Sequence, residues 1–205
     1  MGWSVQLIEI QQGHPIARDN LMSLEVYDAW RQQHKAALMA HRRRRSAMLG
    51  AQVMVQFEDE ITVRYQIQEM LRIEKIFQAP AIQHEIEAYA PLVPNGHNWK
   101  ATMMIECVDA AQRQSALRSF IGIEDHMYVQ VQDFECVKAI ADEDMDRESA
   151  NKTAAVHFLR FEFSEPMRQA IQAGVPVRLG CDHPQYTTHM AMSDALLQNL
   201  RADLH

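Results

Sequence analysis

The sequence predicts an α+β protein in which helices pack on a mixed or antiparallel sheet of about five or six strands. Helical and strand-like patterns alternate irregularly along the chain, and two neighbouring strand patterns are spaced as a hairpin. No internal repeat and no long linker rich in Pro, Ser or Gly divides the chain. With 205 residues, 47% of them hydrophobic, the chain is long enough to bury one substantial core, so we expect a single domain.

The first half of the chain alternates between helical and strand-like spacing. Apolar residues at helical spacing follow a candidate N-cap at Asp19 or Asn20. Pro91 and Pro94 end the last of the helical segments, because proline lacks the backbone N–H that a helix interior needs. The predicted elements are a helix to about residue 40, a strand at 52–57, a helix at 60–78, a shorter helix after Pro80, and a strand at 101–107.

Capping residues and glycines mark the elements of the second half. Asp109 is placed to cap a helix that Gly122 stops, and Gly174 ends a later helix that starts near Glu165. Strand patterns at 127–131 and 136–141 form the predicted hairpin, although neither Asn-Gly nor Asp-Gly marks its turn. The remaining predicted elements are strands at 154–163 and 175–181 and a terminal helix from Ser193.

Charge, cysteine pattern and hydropathy exclude several classes of protein. Twenty Lys and Arg against 27 Asp and Glu give a net charge of −7, which disfavours nucleic-acid binding over the whole surface. The three cysteines are far apart and form no C-x-x-C pair, which is typical of reduced thiols in a cytoplasmic protein. The first residues lack the features of a signal peptide, and no apolar run approaches the roughly 18 residues of a membrane span. We therefore expect a cytoplasmic protein without a membrane segment.

Periodicity places polar residues on apolar faces of the predicted elements. At 100° per residue Glu74 falls within the apolar stripe of its helix, and strand alternation puts His157 and His183 on apolar faces. Glu106 shares a strand face with Thr102 and Met104. Because an unpaired buried carboxylate costs several kcal/mol or more, inward carboxylates need partners. An internal ion pair or a hydrogen-bonded core histidine is the commoner explanation, and a metal or catalytic role is the alternative.

Two histidines with one or two carboxylates are a ligand set that non-haem iron, manganese or zinc accepts. We take four residues as candidate ligands of a divalent metal and two arginines as candidates for binding an anionic substrate. The candidate ligands are His157, His183, Glu74 and Glu106, and the candidate substrate-binding residues are Arg160 and Arg72. The sequence contains no dinucleotide-binding, P-loop, zincin or nucleophile-elbow motif, so it gives no indication of the chemistries that these motifs perform.

Two further patterns allow more than one interpretation. Cys181 and His183 share a strand face, which permits a thiol nucleophile with a histidine base, although a buried inert cysteine is more frequent. The basic run at 41–45 ends a predicted helix, where cations complement the helix dipole. A solvated helix terminus is the main interpretation of this run, and a contact with RNA or phosphate is the minority one.

Several segments of the chain carry motifs that we recognise. They are TVRYQIQEMLR at 62–72, EAY and PLVP at 87–94, ATMMIE at 101–106, GIED at 122–125, KTAAVHFLRF at 152–161, and DHP at 182–184 followed by Tyr186. With these motifs the chain resembles a bacterial family of unknown function, the domain-of-unknown-function family three-five-zero-one. The resemblance covers roughly residues 17–190, which implies an N-terminal extension at 1–16 before a domain at 17–205. Members are encoded near rubrerythrin-like proteins and iron-sulfur oxidoreductases, so the resemblance implies iron and a redox or peroxide-defence system.

These observations lead to two hypotheses of function. The first is a cytoplasmic metal-binding protein, with non-haem iron as the metal, that acts as an enzyme or accessory factor in a bacterial redox or peroxide-defence system. The second is a non-enzymatic partner or adaptor protein of a redox enzyme, in which the inward His and Glu residues form a structural network. In the second case the acidic segment at 141–146 would attract a basic partner protein.

Overall fold

The computed structural model describes residues 15–141 and 152–205. By its internal contacts the chain divides into two compact units, one helical and one built on β-sheets. The helical unit falls within Met1–Arg44 and Glu58–Pro94, and the sheet unit within Arg45–Phe57 and Asn95–His205. Within the described ranges, none of the helices combines the length and the apolar character that a membrane crossing requires.

Three α-helices form the helical unit. They are α1 (Leu24–Arg44), α2 (Glu60–Ile73) and α3 (Ala79–Tyr89). Helix α2 begins with a capping box, because the Asp59 side chain accepts from the Thr62 N–H at 2.9 Å and the Thr62 hydroxyl accepts from the Asp59 N–H at 2.9 Å. Helices α1 and α3 both contact α2. An apolar cluster of α2 and α3 residues with Ile16 forms the core of this unit, and its buried members are Ile16, Val63, Ile67, Leu71 and Ile86.

Helix α2 ends at Ile73 and therefore earlier than the predicted residue 78. Lys75 has a left-handed backbone with φ of 56°, and the Ile76 N–H returns to the Leu71 carbonyl at 2.8 Å. This bond closes the last turn in the manner of a Schellman motif, which satisfies a helix carbonyl that has no partner further along the helix. The residues after Ile73 consequently leave the helical spacing on which their predicted face depended.

Nine strands of the described residues form the two sheets of the second unit. They are β1 (Ser46–Leu49), β2 (Val53–Phe57), β3 (Asn98–Ile105), β4 (Met127–Val131), β5 (Val137–Lys138), β6 (Ile140–Ala141), β7 (Val156–Glu162), β8 (Val177–His183) and β9 (Tyr186–Ala191). One sheet has the order β1-β2-β3-β7-β6, the other has the order β5-β4-β8-β9, and neighbouring strands in both are antiparallel. The α+β class with antiparallel pairing is thus confirmed, with nine strands in two sheets in place of one sheet of five or six.

Three α-helices accompany the sheets. They are α4 (Ala110–Ser119), α5 (Glu165–Ala173) and α6 (Asp194–Leu200). Two of the predicted caps are confirmed, because Asp109 accepts from the Gln112 N–H at 2.8 Å and Gly174 closes α5 in a left-handed conformation with φ of 88°. Glycine suits position 174 because it has no Cβ to clash at positive φ. The other two predicted caps are wrong, because α1 begins at Leu24 and not after Asp19 or Asn20, and α4 ends at Ser119 with Phe120 as its C-cap, before Gly122 is reached.

The predicted hairpin is confirmed in part, because only its first strand pair lies in one sheet. Tyr128 of β4 pairs with Lys138 of β5, whereas Ile140 of β6 pairs with Arg160 of β7 in the other sheet. The sequence pattern predicts no strand after 175–181, because Pro184 is unfavourable for continued strand pairing. Pro184 instead lies in a tight turn after which Tyr186 pairs back with His183, so the chain continues into an edge strand.

Trp99 lies at the centre of the core of the sheet unit. Its side chain is fully buried, and its ring meets Phe57 and Phe163 edge to face at centroid distances of 5.8 and 4.8 Å. The indole Nε1–H donates to the Leu200 carbonyl at 3.0 Å. This bond satisfies the one polar atom of the indole and joins α6 to the buried face of β3.

Arg45, the last residue of the basic run at 41–45, is buried in the sheet unit. Only 2% of the residue is exposed. Its guanidinium donates to the Phe57 carbonyl at 3.2 Å and to the Asn199 carbonyl at 3.0 Å, and it forms an ion pair with Asp203. The interpretation of the whole run as a solvated helix terminus is therefore wrong for Arg45, because this residue follows α1 and starts the sheet unit.

Two expectations, the N-terminal domain boundary and the role of the acidic segment at 141–146, stay predictions. The boundary between an extension at 1–16 and a single domain at 17–205 depends on residues 1–14, which lie outside the described residues. The acidic segment proposed to attract a partner lies outside them as well, apart from Ala141.

Candidate functional site

His157 of β7 is fully buried, as strand alternation predicts. Its Nε2 lies 3.0 Å from the Ala154 carbonyl and 2.8 Å from the Thr153 hydroxyl. Because a carbonyl oxygen only accepts, the Nε2 atom carries the proton. The Nδ1 atom lies 3.6 Å from Oε1 of Glu124, a second buried polar residue. His157 is thus held in a polar cluster within the core.

His183 of β8 is also buried, and both of its ring nitrogens are engaged with the backbone. Nε2 donates to the Ile121 carbonyl at 3.0 Å, and Nδ1 accepts from the Gln185 N–H at 3.2 Å. This pattern defines a neutral imidazole whose only lone pair on nitrogen already accepts a hydrogen bond. The arrangement gives His183 a structural role in holding the turn that leads to β9.

The predicted inward carboxylates both face solvent. Glu74 caps the C-terminus of α2 after the last helical residue, and Glu106 follows the last residue of β3. The expectation that they point inward is wrong. Glu74 was placed by extending the helical periodicity beyond Ile73, and Glu106 lies on the half-exposed face of β3 that it shares with Thr102 and Met104. In β3 the buried face is that of Met103 and Ile105.

The two predicted substrate-binding arginines are each paired with a carboxylate. Arg72 donates to Glu69 one turn before it at 3.2 Å, and Arg160 forms an ion pair with Glu162. Within residues 15–141 and 152–205, no group of three or more His, Cys, Asp or Glu side chains is placed to hold a metal ion. The predicted metal ligands are therefore not brought together in such a group, and a metal centre in this protein stays a prediction.

Cys181 and His183 point to the same buried face of β8, as predicted. Burial raises the pKa of the Cys181 thiol, while a backbone hydrogen bond at His183 acts in the opposite direction. A raised pKa disfavours the thiolate that a nucleophile requires. Cys107, Cys136 and Cys181 are all free thiols.

Replacement of His183 by alanine is expected to lower the free energy of unfolding by about 1–3 kcal/mol, because the Ile121 carbonyl and the Gln185 N–H each lose a partner. Urea unfolding of the purified protein measures this loss, and metal analysis of the same samples should give equal metal content for both. The matched control is His189→Ala, an exposed position on β9, which should stay within about 0.5 kcal/mol of the parent. An unchanged stability together with a loss of bound iron would instead identify His183 as a ligand.

A concave pocket lies in the helical unit, and sequence analysis did not identify it. Its cavity volume is about 40 Å³, and the space increases to about 500 Å³ only when the open solvent at its mouth is included. Its lining is mainly aromatic and aliphatic with four polar side chains, and consists of Asn20, Met22, Tyr27, Trp30, Leu38, Glu60, Ile61, Arg64, Tyr65 and Gln68. A mainly apolar lining with a few polar groups is typical of the ligand pockets of proteins.

Aromatic side chains on one face of α1 form a stack beside the pocket. Tyr27 and Trp30 have ring centroids 5.9 Å apart with an interplanar angle of 24°. Trp30 and His34 are closer, at 4.7 Å and 8°. His34 is oriented by its Nδ1, which donates to the Trp30 carbonyl at 2.8 Å. The spacing i, i+3, i+7 puts the three rings on the same side of the helix, and the stack then fixes their planes.

The four polar side chains of the lining are bonded to protein groups. Arg64 donates to the Asn20 side-chain oxygen at 2.8 Å and to Glu60 at 2.7 Å. Gln68 accepts from the Met22 N–H at 2.7 Å and donates to the Met22 carbonyl at 3.3 Å. Arg64 and Gln68 are buried, although at 100° per residue they fall opposite the apolar stripe of α2. Helix α2 is in fact covered on two sides, because α1 and α3 both contact it.

A charged network lies next to the pocket and holds one of its aromatic walls. Oε1 of Glu69 accepts from the Tyr27 hydroxyl at 2.8 Å and from Arg31 at 2.6 Å, and Arg72 adds a third donor. Burial alone raises the pKa of Glu69, but the hydrogen bonds from the two arginines and the tyrosine outweigh burial and lower the pKa to about 2. Burial and the nearby carboxylate raise the pKa of the Tyr27 phenol well above its usual range. Tyr27 therefore stays a neutral donor whose ring is fixed at the pocket.

Replacement of Glu69 by glutamine is expected to lower the free energy of unfolding by about 2–3 kcal/mol at pH 7. Because the folded-state pKa is depressed, the stabilisation by Glu69 is present above pH 4.5, the ordinary value, and is lost as the pH falls towards 2. Urea unfolding of both proteins between pH 7 and pH 2.5 should therefore show a difference that shrinks with acidification. The control Glu74→Gln replaces an exposed carboxylate and should change little at any pH. A Glu69→Gln difference that stays constant with pH would contradict this account.

Comparisons with known proteins assign the chain to a family without assigning an activity. A crystal structure of a novel protein of unknown function from Burkholderia pseudomallei K96243 is 46% identical in sequence, with a TM-score of 0.89. The match covers 94% of this chain and 100% of the other. No curated protein matches the chain. The model of the family described as "Protein of unknown function (DUF3501)" matches residues 15–204, and the chain therefore belongs to this family.

Proposed function

We propose that the protein binds a small organic molecule in the pocket of its helical unit. The observation that carries the proposal is the lining of this pocket, to which Tyr27, Trp30 and Tyr65 contribute aromatic rings. A well-formed pocket with an apolar lining and a few fixed polar groups is the usual form of a small-molecule site.

The walls of the pocket are held in place by interactions outside the cavity. Tyr27 is fixed through its hydroxyl by Glu69, and Gln68 is fixed through both ends of its amide by the backbone of Met22. Buried groups with several hydrogen bonds move little, so the pocket is organised before a ligand enters it. Preorganisation favours affinity, because less conformational entropy is lost on binding.

The test uses 2-naphthol as the probe and the full-length protein labelled with ¹⁵N. Binding should shift amide signals of the lining residues in a saturable manner, while signals of the sheet unit stay in place. Ile61→Phe adds a ring to the lining and should fill part of the cavity. The probe concentration that gives half-maximal shifts should then rise at least about tenfold. The matched control is Val26→Ala, an exposed position on α1 that is not part of the lining.

The results of this titration either support or overturn binding in the pocket. Saturable shifts confined to the lining and weakened in a folded Ile61→Phe protein would support binding in this pocket. Absence of shifts, or shifts that remain equal in folded Ile61→Phe, would overturn it. If Ile61→Phe does not fold, Trp30→Leu takes its place, because this substitution removes a ring from the wall.

The other functional expectations are independent of this pocket. A non-haem iron centre, a role in redox or peroxide defence, docking onto a redox partner and a cytoplasmic location stay predictions from the sequence and from the family resemblance. The free thiols of Cys107, Cys136 and Cys181 are in keeping with a cytoplasmic location. Metal analysis of protein produced without a histidine tag under iron-replete, anaerobic conditions tests the iron centre directly.

A further inference from the structure

We infer that the ligand of the helical-unit pocket is a flat aromatic molecule that carries no formal charge. This inference rests on the proposed function and names the class of ligand for the same site. It follows from three properties of the lining, which concern its charges, its hydrogen-bonding groups and its ring planes.

The formal charges of the lining neutralise each other. Arg64 and Glu60 are the only two residues of the lining with a formal charge at pH 7, and they form an ion pair at 2.7 Å. The pair lies one helical turn apart on α2 and is largely buried, with 10% and 20% of the two side chains exposed. A charged ligand would lose its hydration on entering the pocket without meeting an unbalanced charge of opposite sign. Ligands of either sign should therefore bind more weakly than a neutral one.

The hydrogen-bonding groups of the lining are engaged with protein partners. The amide of Gln68 is closed on the backbone of Met22, and the amide of Asn20 accepts from Arg64 and donates to the Pro15 carbonyl at 2.9 Å. A ligand rich in polar groups would have to break these bonds or leave its own groups unpaired, and either event costs free energy. The lining consequently favours a ligand that contributes apolar surface.

The aromatic wall favours a flat ligand. Trp30 lies nearly parallel to His34, with 8° between the rings, and within 24° of Tyr27, so the rings of α1 share an approximate plane direction. A planar aromatic molecule can meet the edges of these rings edge to face, whereas a puckered saturated ring has no π-face to offer them.

Four matched probes test the inference by calorimetric titration of the full-length protein at pH 7. They share a two-ring skeleton and are 2-naphthol (neutral and flat), 2-naphthoate (anionic), 2-naphthylmethylammonium (cationic) and decahydro-2-naphthol (neutral but saturated). We expect 2-naphthol to bind at least about tenfold more tightly than each of the other three. Trp30→Leu should lower the affinity for 2-naphthol and leave that for decahydro-2-naphthol nearly unchanged, and Val26→Ala should change neither.

A charge variant distinguishes binding in the pocket from nonspecific binding to the protein surface. Glu60→Gln removes the carboxylate that balances Arg64, so the affinity for 2-naphthoate should rise severalfold while that for 2-naphthylmethylammonium falls. Equal affinity for all four probes, a preference for a charged probe, or an unchanged charge preference in Glu60→Gln would overturn the ligand class and leave the proposed binding function intact. Absence of binding by all four probes would overturn the proposed function, and the ligand class with it.

Discussion

Replacement of Arg45 by alanine is expected to lower the free energy of unfolding by about 3–5 kcal/mol, because it breaks a buried ion pair from one side. The Asp203 carboxylate is only 9% exposed and would lose the guanidinium that faces it. The carbonyls of Phe57 and Asn199 would lose a charged donor as well. These partners come from a strand and from the C-terminal part of the chain, so the loss would loosen the C-terminal segment of the sheet unit.

Urea unfolding at pH 7 measures this loss, and Arg44→Ala is the matched control. Arg44 is exposed at the end of α1 and should contribute less than about 0.5 kcal/mol. Joint replacement of the pair by Met at position 45 and Leu at position 203 should recover much of the stability, because well-packed apolar residues can substitute for a buried ion pair. A change of less than about 1 kcal/mol in Arg45→Ala would show that water replaces the guanidinium without cost.

Replacement of Trp99 by alanine is the second change for which we expect a large effect, a loss of about 3–5 kcal/mol. The substitution empties the largest fully buried side-chain position of the chain's described residues and leaves the Leu200 carbonyl without its indole donor. Trp99→Phe keeps part of the ring contact with Phe57 and Phe163 but not the hydrogen bond. We expect Trp99→Phe to lose roughly half as much as Trp99→Ala.

Chemical unfolding followed by near-ultraviolet circular dichroism measures the Trp99 series. Met104→Ala serves as the control, because Met104 lies on the same strand but on its half-exposed face and should lose about 1 kcal/mol or less. Equal losses for Trp99→Ala and Met104→Ala would contradict the central position that we assign to Trp99. A Trp99→Phe protein as stable as the parent would show that the indole hydrogen bond contributes little.

The parts of the fold that could be predicted are those in which local chemistry decides the outcome. Alternation along β7 places His157 inward because the side-chain period of a strand is two, whatever the neighbouring strands are. Asp109 and Gly174 bound their helices because a side-chain acceptor and a left-handed residue satisfy the ends of a helix locally. Such signals need no knowledge of the tertiary partners.

The predictions that failed concern residues beyond the end of an element. Glu74 is the C-cap of α2 and lies in the turn that Lys75 closes with a positive φ, and sequence patterns rarely predict such a conformation for a lysine. Glu106 fails for another reason, because the face that it shares with Thr102 and Met104 is the half-exposed face of β3. A periodicity carries information only as far as its element extends, and the last turn of a helix is where its extent is least certain.

The pocket could not be predicted, because two of its polar residues look like surface residues in the sequence. Arg64 and Gln68 fall opposite the apolar stripe of α2, which is typical of a solvent-facing side. Their burial depends on α1, whose Tyr27 and Trp30 stand at a spacing that many amphipathic helices share. The one local signal was the set of aromatic residues at i and i+3 on α1, and this signal does not distinguish a core from a binding wall.

Strands β5 and β6 are separated by Ala139 alone, yet they belong to different sheets. Ala139 donates its N–H to the Met127 carbonyl at 2.9 Å, so it remains bonded to β4 while the next residue turns to β7. A one-residue insertion or deletion at this point would exchange the inward and outward side chains of β6 relative to β7. Ala139 is therefore a one-residue spacer between β5 and β6. Its fixed length links the pairing register of one sheet to that of the other.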